Sequence, residues 1–462
     1  MTIKQALEEV ASTSAAEVVS AAIARAKGIE SFNAFISITE ESALERAAKV
    51  DSGEIKGRLA GVPFAVKDNF LVADTVTTAA ASALSSFKAP VTATSVKKLE
   101  AEGAILIGKV NLDAFAHGGS TENSAYGVTR NAVDETRVAG GSSGGSAVAV
   151  AKGVVPFALG SDTGGSIRQP ASFNGVVGHK PTYGSVSRYG VISMASSTDT
   201  VGVLSYSVED AATVMGIISG EDNLDPTTVD GVDYSLDVKS AKRIGILTEG
   251  LGEGVDEDVK QSVKSAVAEL EKVGYSSEEV SMSMIKYSLA MYYIIVPAEI
   301  SSNLARFDGV RFGTRSEDVS SLDDLYKKSR AQGLMYENKR RIMIGSYVLS
   351  SGYFDAYYQK AQKARTLLIE EYNKLFEKYD VLVSPVAPNP AFTIGENLSD
   401  PIKMYIEDAL TVPVSLAGLP AVSVPVKPTA SGLPVGLQVI GNRMDDGQVL
   451  AVAKDVEATI NG

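Results

Sequence analysis

The residues best placed to do chemistry lie in two glycine- and serine-rich clusters. The first is Gly140-Gly141-Ser142-Ser143-Gly144-Gly145-Ser146. The second is Gly160-Ser161-Asp162-Thr163-Gly164-Gly165-Ser166-Ile167-Arg168-Gln169-Pro170. A flexible linker has this composition too, but apolar runs at Ala147–Ala151 and Val154–Leu159 sit between the clusters and call for burial. A phosphate-binding P-loop must end in Lys followed by Ser or Thr, and neither cluster does. A dinucleotide fingerprint needs G-x-G-x-x-G directly after a strand, and Gly140–Gly145 follows a polar turn. Acyl transfer fits better. The strand expected at 154–159 runs into Thr163-Gly164-Gly165-Ser166, and a helix can start near Ile167. Such a turn presents the Ser166 hydroxyl at a sheet edge, and its glycines let successive backbone N–H groups converge on a developing oxyanion.

A serine nucleophile needs a base. The chain has two histidines, His117 and His179. His179 lies in Val176-Val177-Gly178-His179-Lys180-Pro181, which reads as a strand end and favours a structural role. The other candidate is a lysine whose pKa is brought down from about 10.4 by burial or neighbouring positive charge. Lys67 closes the apolar run Leu59-Ala60-Gly61-Val62-Pro63-Phe64-Ala65-Val66 and could be buried. Taken alone, it could equally be a solvated strand end or a partner of Asp68.

Alternating strands and helices must position these groups. An amphipathic helix is expected over 3–28 and another over about 40–50. Strands are expected at 59–66, 104–107, 154–159, 243–248, 381–385, 420–426 and 435–440. Helices are expected at about 92–101 and 255–273, the latter with Val255, Val259, Val263, Val267 and Leu270 on one face and Gly274 as its stop. This alternation predicts α/β layers around a largely buried sheet. The polar stretch 313–333 reads as a surface loop, and the acidic stretch 220–240 as a surface excursion. No repeat or long linker divides the chain, so residues 1–462 are expected to form one domain, with the helical segment of about 1–50 packed on it.

Composition narrows the chemistry. Forty-three basic against 56 acidic residues leave a net charge of −13, which argues against a main role in binding nucleic acid or an anionic membrane. The absence of cysteine removes disulfides, thiolate catalysis and Cys-ligated metals, and two histidines cannot build a histidine-rich metal site. No metal site is expected. No apolar run approaches the roughly 18 residues of a membrane span, and the N-terminal stretch carries Glu8, Glu9 and Glu17 rather than a signal sequence. A cytoplasmic protein without membrane contact is the expectation.

Three segments together, Gly61-Val62-Pro63-Phe64-Ala65-Val66-Lys67-Asp68-Asn69 and the two clusters above, resemble the amidase signature family in order and separation. Lys67 lies 75 residues before Ser142, and Ser142 lies 24 before Ser166. The resemblance implies a single α/β/α domain with a large mixed central β-sheet covered by helices, and a Ser-cisSer-Lys triad. Ser166 would be the nucleophile, Ser142 the bridging serine on a cis peptide, and Lys67 the base. The backbone of Thr163, Gly164, Gly165 and Ser166 would form the oxyanion hole.

Further segments, among them Gly118-Gly119-Ser120-Thr121-Glu122-Asn123-Ser124, Lys339-Arg340-Arg341-Ile342 and Met404-Tyr405-Ile406-Glu407-Asp408, are similar to the family's glutaminase branch, which serves tRNA-dependent amidotransferases. That likeness implies free glutamine as substrate, recognised by Tyr292, Arg341 and Asp408. It also implies a heterotrimer with subunits B and C, and a partner that binds ATP, Mg and most of the tRNA, with no cofactor in this chain. A free-standing amide hydrolase with the same triad is the alternative.

Overall fold

The computed structural model describes residues 1–236, 242–397 and 400–461. Among them, eleven strands form one mixed sheet: β1 (Phe35–Ile38), β2 (Pro63–Lys67), β3 (Ile105–Val110), β4 (Phe157–Asp162), β5 (Val177–Lys180), β6 (Thr200–Ser205), β7 (Arg243–Leu247), β8 (Ser276–Val280), β9 (Val381–Pro385), β10 (Ala421–Val426) and β11 (Val435–Ile440). Their order is β1-β3-β2-β4-β6-β5-β10-β11-β9-β7-β8. The pairs β2/β3, β2/β4, β7/β9 and β7/β8 are parallel and the others antiparallel. This is the expected α/β architecture around a large mixed sheet.

Side chains alternate across a strand, and the two faces feed different cores. Phe64, Val66, Leu106, Phe157, Leu159, Val381, Val383, Val422, Val424, Leu437 and Val439 face one layer, packed against the helices Thr94–Ala101, Val208–Ile218, Glu257–Lys272 and Asp446–Asn461. Ala65, Ile105, Ile107 and Ala158 face the other, with the helices Ala15–Gly28, Glu40–Asp51 and Gly144–Ala151. Leu382, Ala421 and Ile440 meet a further cluster on the helices Ser288–Asn303, Lys360–Phe376 and Val412–Ala417. None of the described helices is long and apolar enough to cross a membrane.

Several elements differ from expectation. The helix expected over 3–28 is two, Ile3–Ser12 and Ala15–Gly28. Ser14 caps the second by accepting from the Glu17 N–H at 3.1 Å, and Asp51 accepts from the Ala15 N–H at 2.7 Å. Polar caps thus outcompete a continuous helix at this point. The polar stretch 313–333 is not all loop: Leu322–Gly333 is a helix capped by Ser321 and laced by the pair Lys327–Asp323, at 2.6 Å. Its single buried large apolar residue, Leu325, leaves no periodic signal to read. Strands β1, β6 and β8 had no counterpart among the expected strands. In the acidic stretch, Asp225 is buried and accepts from both the backbone and Nε of Arg188 at 2.9 Å. Its last residues, 237–240, lie outside the described ones.

One close approach fixes the half of the molecule that carries Arg341. The helix Tyr336–Val348 packs on Ser288–Asn303 through Gly345, where a Cβ would run into the Pro297 carbonyl. An unconstrained helical glycine gains about 1 kcal/mol on replacement by alanine. Here Gly345→Ala is expected to lower the unfolding free energy by about 1–3 kcal/mol, because backbone cannot yield as a side chain does. Urea unfolding of the two proteins, compared at one pH, checks the sign: a stability gain would mean that the helices part freely.

Candidate active site

Because β2 and β4 are parallel neighbours, with Val66 opposite Leu159, the ends of both strands emerge at one edge of the sheet. Lys67 is the last residue of β2, and residues 163–166 follow β4 directly. The Lys67 Nζ lies 2.7 Å from Ser142 Oγ, 3.0 Å from Ser161 Oγ and 3.2 Å from the Ser161 carbonyl. Lys67 and Ser142 are fully buried, while Ser166 is 8% exposed. The Gly141–Ser142 peptide is cis. The two glycine loops are tied together where the Ser143 N–H donates to the Ser166 carbonyl at 3.1 Å. Gln169 adds a second tie: its Oε1 accepts from the Gly141 N–H at 2.8 Å and its Nε2 donates to the Gly119 carbonyl at 2.9 Å.

Burial pushes the Lys67 pKa down to about 7, against the upward pull of Asp113, Asp162 and Asp199. None of these carboxylates pairs with Lys67, because each is held elsewhere. Asp113 accepts the N–H groups of Thr121 at 2.9 Å and Asn123 at 3.1 Å, and burial raises it to about 6. Asp199 accepts from Thr163 Oγ1 at 2.7 Å and from the Met194 and Ala195 N–H groups. Burial would raise Asp162 as well, but the charge and hydrogen bonds of Arg168, with Lys180 behind them, hold it at about 2. Asp68, the sequence neighbour of Lys67, pairs instead with Lys109 at 2.7 Å, both fully buried.

The Asp162–Arg168 pair braces the turn that carries Ser166. Asp162 accepts the N–H groups of Gly165 at 2.8 Å and Ile167 at 3.1 Å, and Arg168 reaches it from Nε at 3.0 Å and Nη2 at 2.9 Å. Arg168 also donates to Gln438 Oε1 at 2.6 Å, Ser415 Oγ at 2.8 Å and the Thr411 carbonyl at 3.1 Å. One member of the expected oxyanion set is therefore occupied: the Gly165 N–H points at Asp162. Gly165 adopts φ +142°, and a Cβ there would strike the Thr411 side chain. A Cβ on Gly164 would lie 2.6 Å from the Tyr292 hydroxyl, so Tyr292 abuts the nucleophile turn.

Beside the loops is a cavity of about 280 Å³ whose walls include Asp113, His117, Gly119, Glu337 and Arg341. Arg341 is 3% exposed and its Nε donates to Glu337 Oε1 at 2.7 Å. Its Nη groups have no partner among the described residues and are left for the cavity. The guanidinium lies 5.4 Å from the centre of the Tyr293 ring, which stacks on Tyr405 at 3.7 Å, and Arg340 covers Tyr405 and pairs with Glu337. Asp408 stands behind Gly119, where a Cβ would be 3.6 Å from its Oδ1. The Asp408 carboxylate is half-buried and has no hydrogen bond or ion pair among the described residues. Burial lifts it to about 7, against the nearby charge of Arg341.

The family model for Amidase matches residues 17–450. A relative from Macrococcus caseolyticus (strain JCSC5402), named as the A subunit of glutamyl-tRNA(Gln) amidotransferase, is 50% identical over 434 residues, 93% of this chain and 90% of that protein. The crystal structure of the glutamyl-tRNA(Gln) amidotransferase A subunit from Thermotoga maritima superposes with a TM-score of 0.81 at 40% identity, covering 99% of this chain and 94% of that one. A bacterial aryl acylamidase of the amidase signature family superposes with a TM-score of 0.87 at 25% identity, covering 99% and 96%. The chain belongs to the amidase family.

Within this amidase, neither histidine hydrogen-bonds to Lys67, Ser142 or Ser166. His179 sits fully buried on β5, its ring edge-on to Tyr234 and its Nε2 3.8 Å from Asp446 Oδ1, and burial drives it down to about 3. His117 is neutral as well, pushed well down by burial and then by the charge of Arg341. Reading the sequence missed Asp113, Asp162, Arg168, Gln169 and Glu337. For Asp162 and Arg168 a signal existed, since charges flanking a buried glycine turn on both sides must be paired with each other.

Proposed function

We propose that this chain is the glutamine-hydrolysing subunit of a tRNA-dependent amidotransferase, with Ser166 as nucleophile, Ser142 as proton bridge and Lys67 as base. Neutral Lys67 takes a proton from Ser142, which takes one from Ser166, and Ser166 Oγ bonds to the γ-amide carbon of glutamine. The resulting oxyanion is met by N–H groups of the 163–166 turn; with Gly165 engaged by Asp162, those of Thr163, Gly164 and Ser166 carry this role. On collapse the C–N bond breaks, the relay returns the proton to the leaving nitrogen, and ammonia departs from a glutamyl ester of Ser166. Water, deprotonated through the same relay, attacks the ester, releases glutamate and restores the serine.

The observation that carries the choice of glutamine is the pair of unpartnered charges, Arg341 Nη and Asp408, beside the Tyr292-flanked turn. A buried charge without a partner is costly. The α-carboxylate and α-ammonium of a free amino acid complete both at once, whereas a simple amide completes neither. The names of the relatives support the rest of the reading: ammonia passes to partner subunits B and C, where ATP, Mg and most of the tRNA are bound and Glu-tRNA(Gln) is amidated in the cytoplasm. The alternative, a free-standing amide hydrolase, uses the same triad but leaves both charges unanswered.

Labelled glutamine should form an acyl adduct that maps to Ser166, and Ser166→Ala should lose glutamine hydrolysis while the complex still amidates Glu-tRNA from ammonium salts. Mass spectrometry of the quenched complex reads the adduct, and one on Ser142 or Ser143 overturns the assignment.

The pH profile follows from Lys67. Its pKa lies at about 7, so the neutral, basic form is populated above that value and lost below it. On a neutral amide, kcat/KM should fall about tenfold per pH unit below 7 and level off above it. The neutral substrate matters because Asp408, itself near 7, would add a second titration to glutamine binding. A profile flat from pH 6 to 8 would remove Lys67 as the base.

The clamp separates the two readings. Arg341→Ala and Asp408→Ala should each cost glutamine about 2–5 kcal/mol of kcat/KM, roughly thirty- to several-thousand-fold. A neutral amide should lose little. Equal losses on both substrates, measured with subunits B and C present, would assign the two residues to folding instead.

A further inference from the structure

His117 has a hydrogen-bond donor that the chemistry proposed above does not use. Its ring is fully buried, and its residue forms part of the wall of the cavity that Arg341 faces. Asn338, three residues before Arg341 on the same helix, fixes the tautomer. The Asn338 side-chain oxygen accepts the Met335 N–H at 3.1 Å, and its nitrogen donates to the Ala114 carbonyl at 2.8 Å, so the amide can stand only one way round. The second hydrogen of that nitrogen then meets His117 Nδ1 at 2.7 Å. Nδ1 is therefore an acceptor, and the single proton of the neutral ring is on Nε2. Nε2 is buried and has no partner among the described residues.

A buried N–H without an acceptor is destabilising, and the Asn338 contact holds it in place. What is missing is an acceptor, and the neighbouring free groups, the Arg341 Nη atoms, are also donors that lack one. We propose that His117 Nε2–H is a second, neutral donor to the substrate's carboxylate, sharing that group with Arg341, and that Asn338 is a positioning residue which keeps the proton on Nε2. The proposal rests on the glutamine reading above and extends it. A carboxylate has two oxygens and several acceptor sites, enough for a guanidinium and an imidazole together. Asn338 and Arg341 share a helix, so the donor pair is set by one rigid element.

The test uses the assembled complex and two substrates: glutamine, and glutaminamide, whose α-carboxamide carries no charge. His117→Leu should raise KM for glutamine about ten- to a hundredfold, the range for a hydrogen bond to a charged group. It should leave kcat within about threefold and change kcat/KM for glutaminamide by less than about threefold. His117→Gln, which can offer an amide N–H, should recover most of the loss. A second readout needs no variant. In the wild-type complex labelled with ¹⁵N-histidine, the His117 Nε2–H resonance should shift on adding glutamate and stay put on adding isoglutamine, the α-amide of glutamate. Equal losses on the two substrates, an unchanged KM, or a resonance indifferent to the α-carboxylate would each overturn the proposal. A wild type that does not turn over glutamine at all would instead overturn the reading on which it rests.

Discussion

The rest of the site depends on keeping the Lys67 amine dry and unpaired. An amine held beside a carboxylate would stay protonated, since an opposite charge at close range favours the charged form. Burial alone works in the other direction, and in this protein burial prevails. For that to happen, every acidic group within reach must find a different partner. Asp68 is on the opposite side of β2 from Lys67, by strand alternation, and is taken by Lys109. Asp162 is taken by Arg168, Asp199 by Thr163 and two backbone N–H groups, and Asp113 by backbone N–H groups of the 121–123 turn. Lys67 is left with neutral partners, the hydroxyls of Ser142 and Ser161 and one carbonyl. A proton relay needs such partners, because a hydroxyl can both donate and accept.

The molecule divides this task from substrate recognition. The relay is built on strand ends and the loops that leave them, where the parallel pairing of β2 and β4 sets the spacing. The proposed glutamine contacts come from the helices Ser288–Asn303 and Tyr336–Val348 and the segment ending at Asp408, packed in a separate apolar cluster. Gln169 and Tyr292 join the halves. Gln169 holds Gly141 with one end of its amide and Gly119, in front of Asp408, with the other. A shift of the recognition helices would therefore reach the relay through backbone hydrogen bonds, without any change in Lys67 or Ser142.

Much of the frame was legible because it is periodic. Strands at 381–385 and 435–440 match to the residue, and the helix expected at 255–273 is Glu257–Lys272. Polar segments hid their structure: the helix Leu322–Gly333 shows no apolar stripe, and β8 exposes most of its residues. In the site, the glycine and serine clusters and the apolar run before Lys67 point to groups that the structure brings within hydrogen-bonding reach. The counter-charges do not show in the sequence. Whether Asp162 is a base, a surface acid or a brace depends on which groups touch it, and Arg168, further along the chain, becomes its partner only once the 163–167 turn has formed. The same holds for Asn338, whose role exists only because Ala114, Met335 and His117 converge on its amide.

Recognition of a zwitterion asks for two charges that are held firmly yet left incomplete, and Glu337 shows how the first is managed. A full bidentate pair would occupy the guanidinium and leave no donor for a ligand. Glu337 takes only the Nε edge of Arg341, spends its other oxygen on Arg340, and so leaves the Nη edge free. The stack of Tyr293 and Tyr405 between the two arginines offsets part of the remaining cost through cation–π contacts. Asp408 has no such support, and its carboxyl pKa of about 7 records the difference. An arriving α-ammonium would lower that value by supplying the missing charge. The empty pocket therefore stands between protonation states near neutrality, and the ligand that resolves it is one bearing both charges.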